Sequence, residues 1–166
     1  MCRSVLRKIA VCDDVEVERF VLKRQLMSYF RLTGAKAEIR EYVSGESLLA
    51  DIEEGYIWPD LIFLDIYMGN LNGMDTARHL REMDVEAPIV FLTASPDYAV
   101  ESYEVEAAGY LLKPAREQQT HAILQKLLGG EAPQAYCSQV QETVCVILTW
   151  MIWSIWKVTG TQCGSI

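Results

Sequence analysis

The 166-residue chain has no Cys-x-x-Cys pair and only two histidines, His79 and His121. Its five cysteines (Cys2, Cys12, Cys137, Cys145 and Cys163) are odd in number and scattered. Zinc and dithiol chemistry therefore have no support. Free thiols in a reducing, cytoplasmic compartment are expected. There is no basic excess either: 15 Lys and Arg stand against 23 Asp and Glu, for a net charge of −8. Nucleic-acid binding draws much of its affinity from a basic face, so direct DNA binding by this chain as written is not expected. No apolar run reaches the ~20 residues that span a bilayer. The opening MCRSVLRKIAVCDD lacks the apolar segment of a signal peptide, so no membrane association is expected.

What is present is globular in character. Hydrophobic residues make up 51% and charged residues 23%, enough to bury a core without disulfide or metal staples. Short apolar runs at residues 9–12, 61–64, 88–92 and 107–112 alternate with longer stretches of helical period. Residues 36–42 alternate like a half-exposed edge strand. Helices are expected over residues 15–31, 44–54, 73–83, from Ser95 or Pro96 to about residue 103, and over 115–128. Leu22, Leu26, Tyr29 and Phe30 fall on one face of the first helix, and Ile123, Leu124, Leu127 and Leu128 on one side of the last. Five β/α units with nearly continuous apolar strands predict a parallel sheet covered on both faces. The fold class is a doubly wound, flavodoxin-like (βα)5 α/β fold with strand order 2-1-3-4-5. Five units are too few for a TIM barrel.

Each apolar strand runs directly into a chemically capable residue. The first ends at Asp13 and Asp14, the third at Asp65, the fourth at Thr93 and the fifth at Lys113. In an open parallel sheet these positions share the carboxyl edge, where α/β folds place their sites. Each residue alone has a plainer reading. Asp13 or Asp14 could cap the first helix, Asp65 could be a loop residue, Thr93 a strand-end residue, Lys113-Pro114 a turn and Tyr110 a packing aromatic. The joint pattern favours chemistry. Three converging carboxylates repel one another, and an all-oxygen set suits Mg²⁺ or Mn²⁺. An ammonium and a hydroxyl beside them suit a phosphate. A carboxylate can also accept a phosphoryl group, and Asp65, alone at the end of the most apolar strand, is the best candidate.

The segments IAVCDD, LIFLDIYMGNLNGMD, PIVFLTAS and YLLKP resemble the response-regulator receiver domains of bacterial two-component signalling. The likeness covers about residues 7–128. The segment SPDYAVESYEVEAAGYLLKP further resembles receivers of LytTR-type transcriptional regulators. The resemblance implies Asp65 as phosphoacceptor and Mg²⁺ held by Asp13, Asp14, Asp65 and the backbone carbonyl of Tyr67. It implies that Thr93 and Lys113 contact the phosphoryl group, that Tyr110 is the switch aromatic and that the Lys113-Pro114 bond is cis. The implied partner is a sensor histidine kinase. The face of the fourth helix, fifth strand and fifth helix is the implied homodimer contact. Gly69 departs from the family pattern, which has Pro there, and predicts a looser loop. Tyr67 and Ser95 are expected to flank the site, with bulky Tyr67 hindering the attack of water on the phosphorylated form.

Residues 129–166 change character. They hold three charged residues (Glu131, Glu142 and Lys157), against 35 in the preceding 128, yet three of the four Trp. We expect residues 1–128 to be the receiver domain. Residues 129–166 are expected to be an irregular apolar tail: a truncated or out-of-frame effector region, or a short extension that docks on a partner. LytTR-type regulators carry a DNA-binding domain after the receiver, which 38 residues with one Lys cannot form. Three classes of function follow: a receiver that switches on phosphorylation, a LytTR-type regulator whose effector is missing from this chain, and an aspartyl-phosphate enzyme. The last would place a second Asp two residues after its nucleophile, where this chain has Tyr67. Flavin binding is disfavoured, because Asp13 and Asp14 would repel the flavin phosphate.

Overall fold

The computed structural model describes residues 6–94 and 105–128. The helix expected from Ser95 or Pro96 and the apolar tail lie outside the described residues. The elements run β1 (Leu6–Cys12), α1 (Glu16–Thr33), β2 (Lys36–Tyr42), α2 (Gly45–Glu53), β3 (Leu61–Asp65), α3 (Gly73–Glu82), β4 (Ile89–Thr93), β5 (Gly109–Leu112) and α4 (Glu117–Leu128). All five strands are parallel and lie in the order β2-β1-β3-β4-β5. This is the doubly wound, flavodoxin-like arrangement expected from the sequence. The α4 of the structure is the fifth helix of the sequence reading.

The apolar strand runs are explained by two covered faces. Successive side chains of a strand point to opposite sides. Cys12, Leu64 and Phe91 join a cluster with Leu48 and Ile52 of α2 and with Met74 and Leu80 of α3. Val11, Phe63 and Val90 join a second cluster with Leu22, Leu26 and Phe30 of α1 and with Leu124 of α4. Phe63 and Phe91 are fully buried on opposite faces, and each such burial stabilises the fold by about 1.5–3 kcal/mol. β2 lies at the edge of the sheet and only Tyr42 of it is buried, in keeping with its alternating sequence.

Local chemistry fixes the ends of the helices. Ser44 caps α2 by accepting from the Ser47 N–H. Asn72 caps α3 by accepting from the Asp75 N–H at 2.8 Å, and its amide donates back to the Asp75 carboxylate. α1 stops at Gly34, whose φ of 69° lies in the left-handed region that glycine enters without strain. Several boundaries differ from expectation, among them the end of α1, which runs to Thr33 rather than residue 31. β1 begins at Leu6 rather than residue 9, because pairing with Lys36–Glu38 of β2 draws its polar start into the sheet. β5 begins at Gly109 and α4 at Glu117, each two residues later than the apolar pattern implies.

Candidate functional site

β1 and β3 are neighbours, and the connection out of β1 goes to its other side, to β2. This is the point where the strand order reverses and a crevice opens beyond the carboxyl ends. Asp13 and Asp14 follow β1 there, and Asp65 is the last residue of β3. Carboxylate oxygens of the three lie within 4.8 Å of one another. Asp13 and Asp65 are 1% and 2% exposed, whereas Asp14 is open to solvent. Lys113 follows β5 and reaches back across the sheet edge. Its Nζ donates to Asp13 Oδ2 at 2.7 Å and lies 2.9 Å from Asp65 Oδ2. Its backbone N–H donates to the Thr93 carbonyl at 2.7 Å, which ties the lysine to the end of β4. The Lys113-Pro114 peptide is cis, as the resemblance implied.

The carboxylates are held by backbone as well as by the lysine. Asp13 Oδ1 accepts from the Val15 N–H at 2.8 Å, and Asp65 Oδ1 accepts from the Tyr67 N–H at 3.3 Å. The capping alternative for Asp13 and Asp14 is not met, since the N-cap of α1 is Val15 and no side chain caps it. Burial raises the pKa of both Asp13 and Asp65, against the opposing pull of Lys113. Burial works against the Lys113 ammonium too, but its bonds to Asp13, Glu18 and Asp65 outweigh that and push its pKa up. Beneath the site, burial and the adjoining carboxylates push the Cys12 thiol up to about 12, so it is held as a neutral thiol. An oxygen-only set with two buried carboxylates suits a hard divalent cation, because each carboxylate costs less when a cation offsets the others.

Other sequence-predicted residues surround this centre. Thr93 is fully buried at the end of β4. Tyr110 lies in β5 opposite Phe91 and packs, partly buried, against the cluster that holds Phe91. Tyr67 is 49% exposed at the mouth. A Cβ at Gly69 would meet no atom within 4 Å, so that position is uncrowded. Gly73 is the opposite case. A Cβ there would lie 2.1 Å from the Asp65 carbonyl oxygen, where the chain doubles back from β3 into α3. Ser95 lies outside the described residues.

Two residues not singled out in the sequence complete the surroundings. Glu18, in the first turn of α1, contacts the Lys113 ammonium through Oε2. Arg19 donates to the Asp13 carbonyl oxygen.

The comparisons with known proteins agree with this fold. The pattern of the response regulator receiver domain matches residues 9–125. The sensory transduction protein LytT of Bacillus subtilis is 34% identical over 123 residues, covering 74% of this chain and 48% of the relative. The positive alginate biosynthesis regulatory protein of Pseudomonas aeruginosa is 36% identical over 118 residues, covering 71% of this chain and 46% of the relative. This chain thus spans about half the length of these two relatives. Among solved structures, the response regulatory domain of protein MrkE from Klebsiella pneumoniae superposes with a TM-score of 0.65 at 29% identity, covering 74% of this chain and 95% of that one. The response regulator TrrA of Thermotoga maritima, solved with Mg²⁺ and BeF, gives a TM-score of 0.63 at 28% identity, covering 74% of this chain and 99% of that one. The fold, the matched residues and these relatives agree: the chain belongs to the response regulator receiver domain family and is a domain of phosphorelay signalling.

Proposed function

We propose that Asp65 accepts a phosphoryl group from a sensor histidine kinase and that the acyl phosphate switches the domain's conformation. The observation that carries this reading is the Lys113 ammonium, held 2.9 Å from Asp65 Oδ2 beside a cluster of three carboxylates. In the transfer, the P–N bond to the donor histidine breaks as the Asp65 O–P bond forms, and the imidazole leaves with its ring proton. Lys113 stands where it can offset charge on the phosphoryl oxygens, and the Thr93 hydroxyl is assigned a hydrogen bond to them. Asp13, Asp14, Asp65 and the Tyr67 carbonyl are assigned to Mg²⁺, with Mn²⁺ as a substitute of similar hardness. The hard, oxygen-only donor set fits that ion. When bound, the ion supplies positive charge to the transferring group. The Mg²⁺–BeF complex of the related TrrA supports the assignment.

The phosphoryl group adds about −1.5 to −2 charge at Asp65. Thr93 moves toward it, and Tyr110 turns inward into the space left, which reshapes the face to which β5 and α4 belong. That face is the proposed homodimer contact. Tyr67, exposed at the mouth, is assigned the role of slowing attack by water. The domain works in the cytoplasm as a switch rather than as an enzyme; among the described residues no helix is long and apolar enough to cross a membrane. With Mg²⁺ and a small phosphodonor such as acetyl phosphate, the wild type is expected to form an acyl phosphate and Asp65→Asn to form none. Equal labelling of the two would overturn the assignment.

A second reading concerns the intact regulator. The chain spans 48% and 46% of two relatives named as a sensory transduction protein and a regulatory protein, and the composition changes sharply after Leu128. We therefore take residues 1–128 as the receiver of a LytTR-type DNA-binding regulator and residues 129–166 as a truncated or out-of-frame effector region. Reading the coding DNA beyond codon 128 in all frames tests this. A basic domain in another frame supports it, and the lack of one overturns it.

A further inference from the structure

Lys113 has three N–H donors and faces three carboxylates. Two of these, Asp13 Oδ2 at 2.7 Å and Asp65 Oδ2 at 2.9 Å, belong to the acidic cluster. The third, Glu18 Oε2, is not in that cluster and touches the same ammonium. A divalent cation on Asp13 and Asp65 would compete with the ammonium for the very carboxylates it now holds. The lysine side chain is only 14% exposed, so an ammonium displaced from both would need another anionic partner within reach. Glu18 is placed to be that partner. Its Oε2 atom is shut off from solvent and faces the ammonium, while the side chain as a whole is 43% exposed. Its backbone is fixed by the first turn of α1, where the Arg19 side chain ties the helix to the Asp13 carbonyl.

We propose that Glu18 is a positioning residue, the seat on which the Lys113 ammonium, already in contact with it, is retained when a divalent cation takes over the aspartates. From that seat the lysine is still beside Asp65 when a phosphoryl group arrives. This rests on the metal assignment made above, and it adds a residue that the acidic cluster does not contain.

The test is calorimetric titration of the full chain with MgCl₂ alone, with no phosphodonor. Circular dichroism checks that each variant is folded. Glu18→Gln is expected to bind Mg²⁺ several-fold more weakly than wild type, because the displaced ammonium then has nowhere to go. In a Lys113→Met background the Glu18→Gln step is expected to shrink to almost nothing, since no ammonium remains to be seated. Unchanged binding in Glu18→Gln overturns the proposal. An equal loss in both backgrounds also overturns it, because Glu18 then acts only as a nearby charge. If Lys113→Met does not fold, Glu18→Asp decides: it keeps the charge but shortens the reach. Weakening like that of Glu18→Gln supports the seat, and wild-type binding overturns it. A wild type that binds no Mg²⁺, or an Asp13→Asn variant that binds it equally well, would instead refute the metal assignment itself.

Discussion

At Gly73 the polypeptide passes so close to the Asp65 carbonyl that a single methyl group would stand 2.1 Å from its oxygen. The obstacle is backbone, not a side chain that can swing away. Gly73→Ala is therefore expected to lose about 2–3 kcal/mol of stability, read as a lower urea midpoint, and to disturb Asp65 as well. Other residues of the site differ in how far the sequence reveals them. Asp13, Asp65, Thr93 and Lys113 stand out because each follows an apolar run, where a polar residue needs a reason. Glu18 does not stand out. An acid in the first turn of a helix is favoured by the helix dipole wherever the helix points, so its contact with Lys113 is hidden behind an ordinary local preference. The reason for Gly73 is hidden too, since a glycine at a helix start reads locally as a turn residue, and the crowding comes from a carbonyl eight residues earlier.

Among the elements, α1 does more than cover one face of the sheet. Its Gln25 amide donates to the Ala115 carbonyl at 2.8 Å, and the Thr120 hydroxyl donates to Gln25 Oε1 at 2.7 Å. His121 of α4 meets the Gln25 carbonyl and stacks edgewise on Tyr29. This polar clasp joins α1 to the turn that follows Lys113, so the helix carrying Glu18 and the loop carrying the lysine are held together. Gln25→Ala is expected to cost about 1–2 kcal/mol, measured by denaturant unfolding. Nothing in the sequence marks the clasp, because a glutamine on an amphipathic helix looks like any solvated residue. The apolar face of α1, by contrast, is legible: Leu22, Leu26, Tyr29 and Phe30 recur at helical spacing, and all four are buried. The start of β1 was hidden for another reason. Leu6 to Lys8 join the strand through pairing with β2, and such long-range pairing leaves no trace in a local pattern.

Across the whole domain, the order of the strands does the work of gathering the site. Asp13, Asp65 and Lys113 are separated by as many as 100 residues in the chain, yet parallel strands bring every strand end to one edge. This is why the fold and the centre of the site were legible together. Apolar runs implied a sheet buried on both faces, and a buried parallel sheet implied a shared edge. The contacts that tune the edge were not legible, because they depend on how α1 is set against β5. The central claim is that Asp65 carries the phosphoryl group. Borohydride reduces an acyl phosphate on aspartate to homoserine, so the most direct measurement is to phosphorylate the chain with a small donor and Mg²⁺, reduce it, and locate the altered residue by peptide mass spectrometry. The account predicts homoserine at position 65. Homoserine at position 13 or 14, or none at any position, would contradict it.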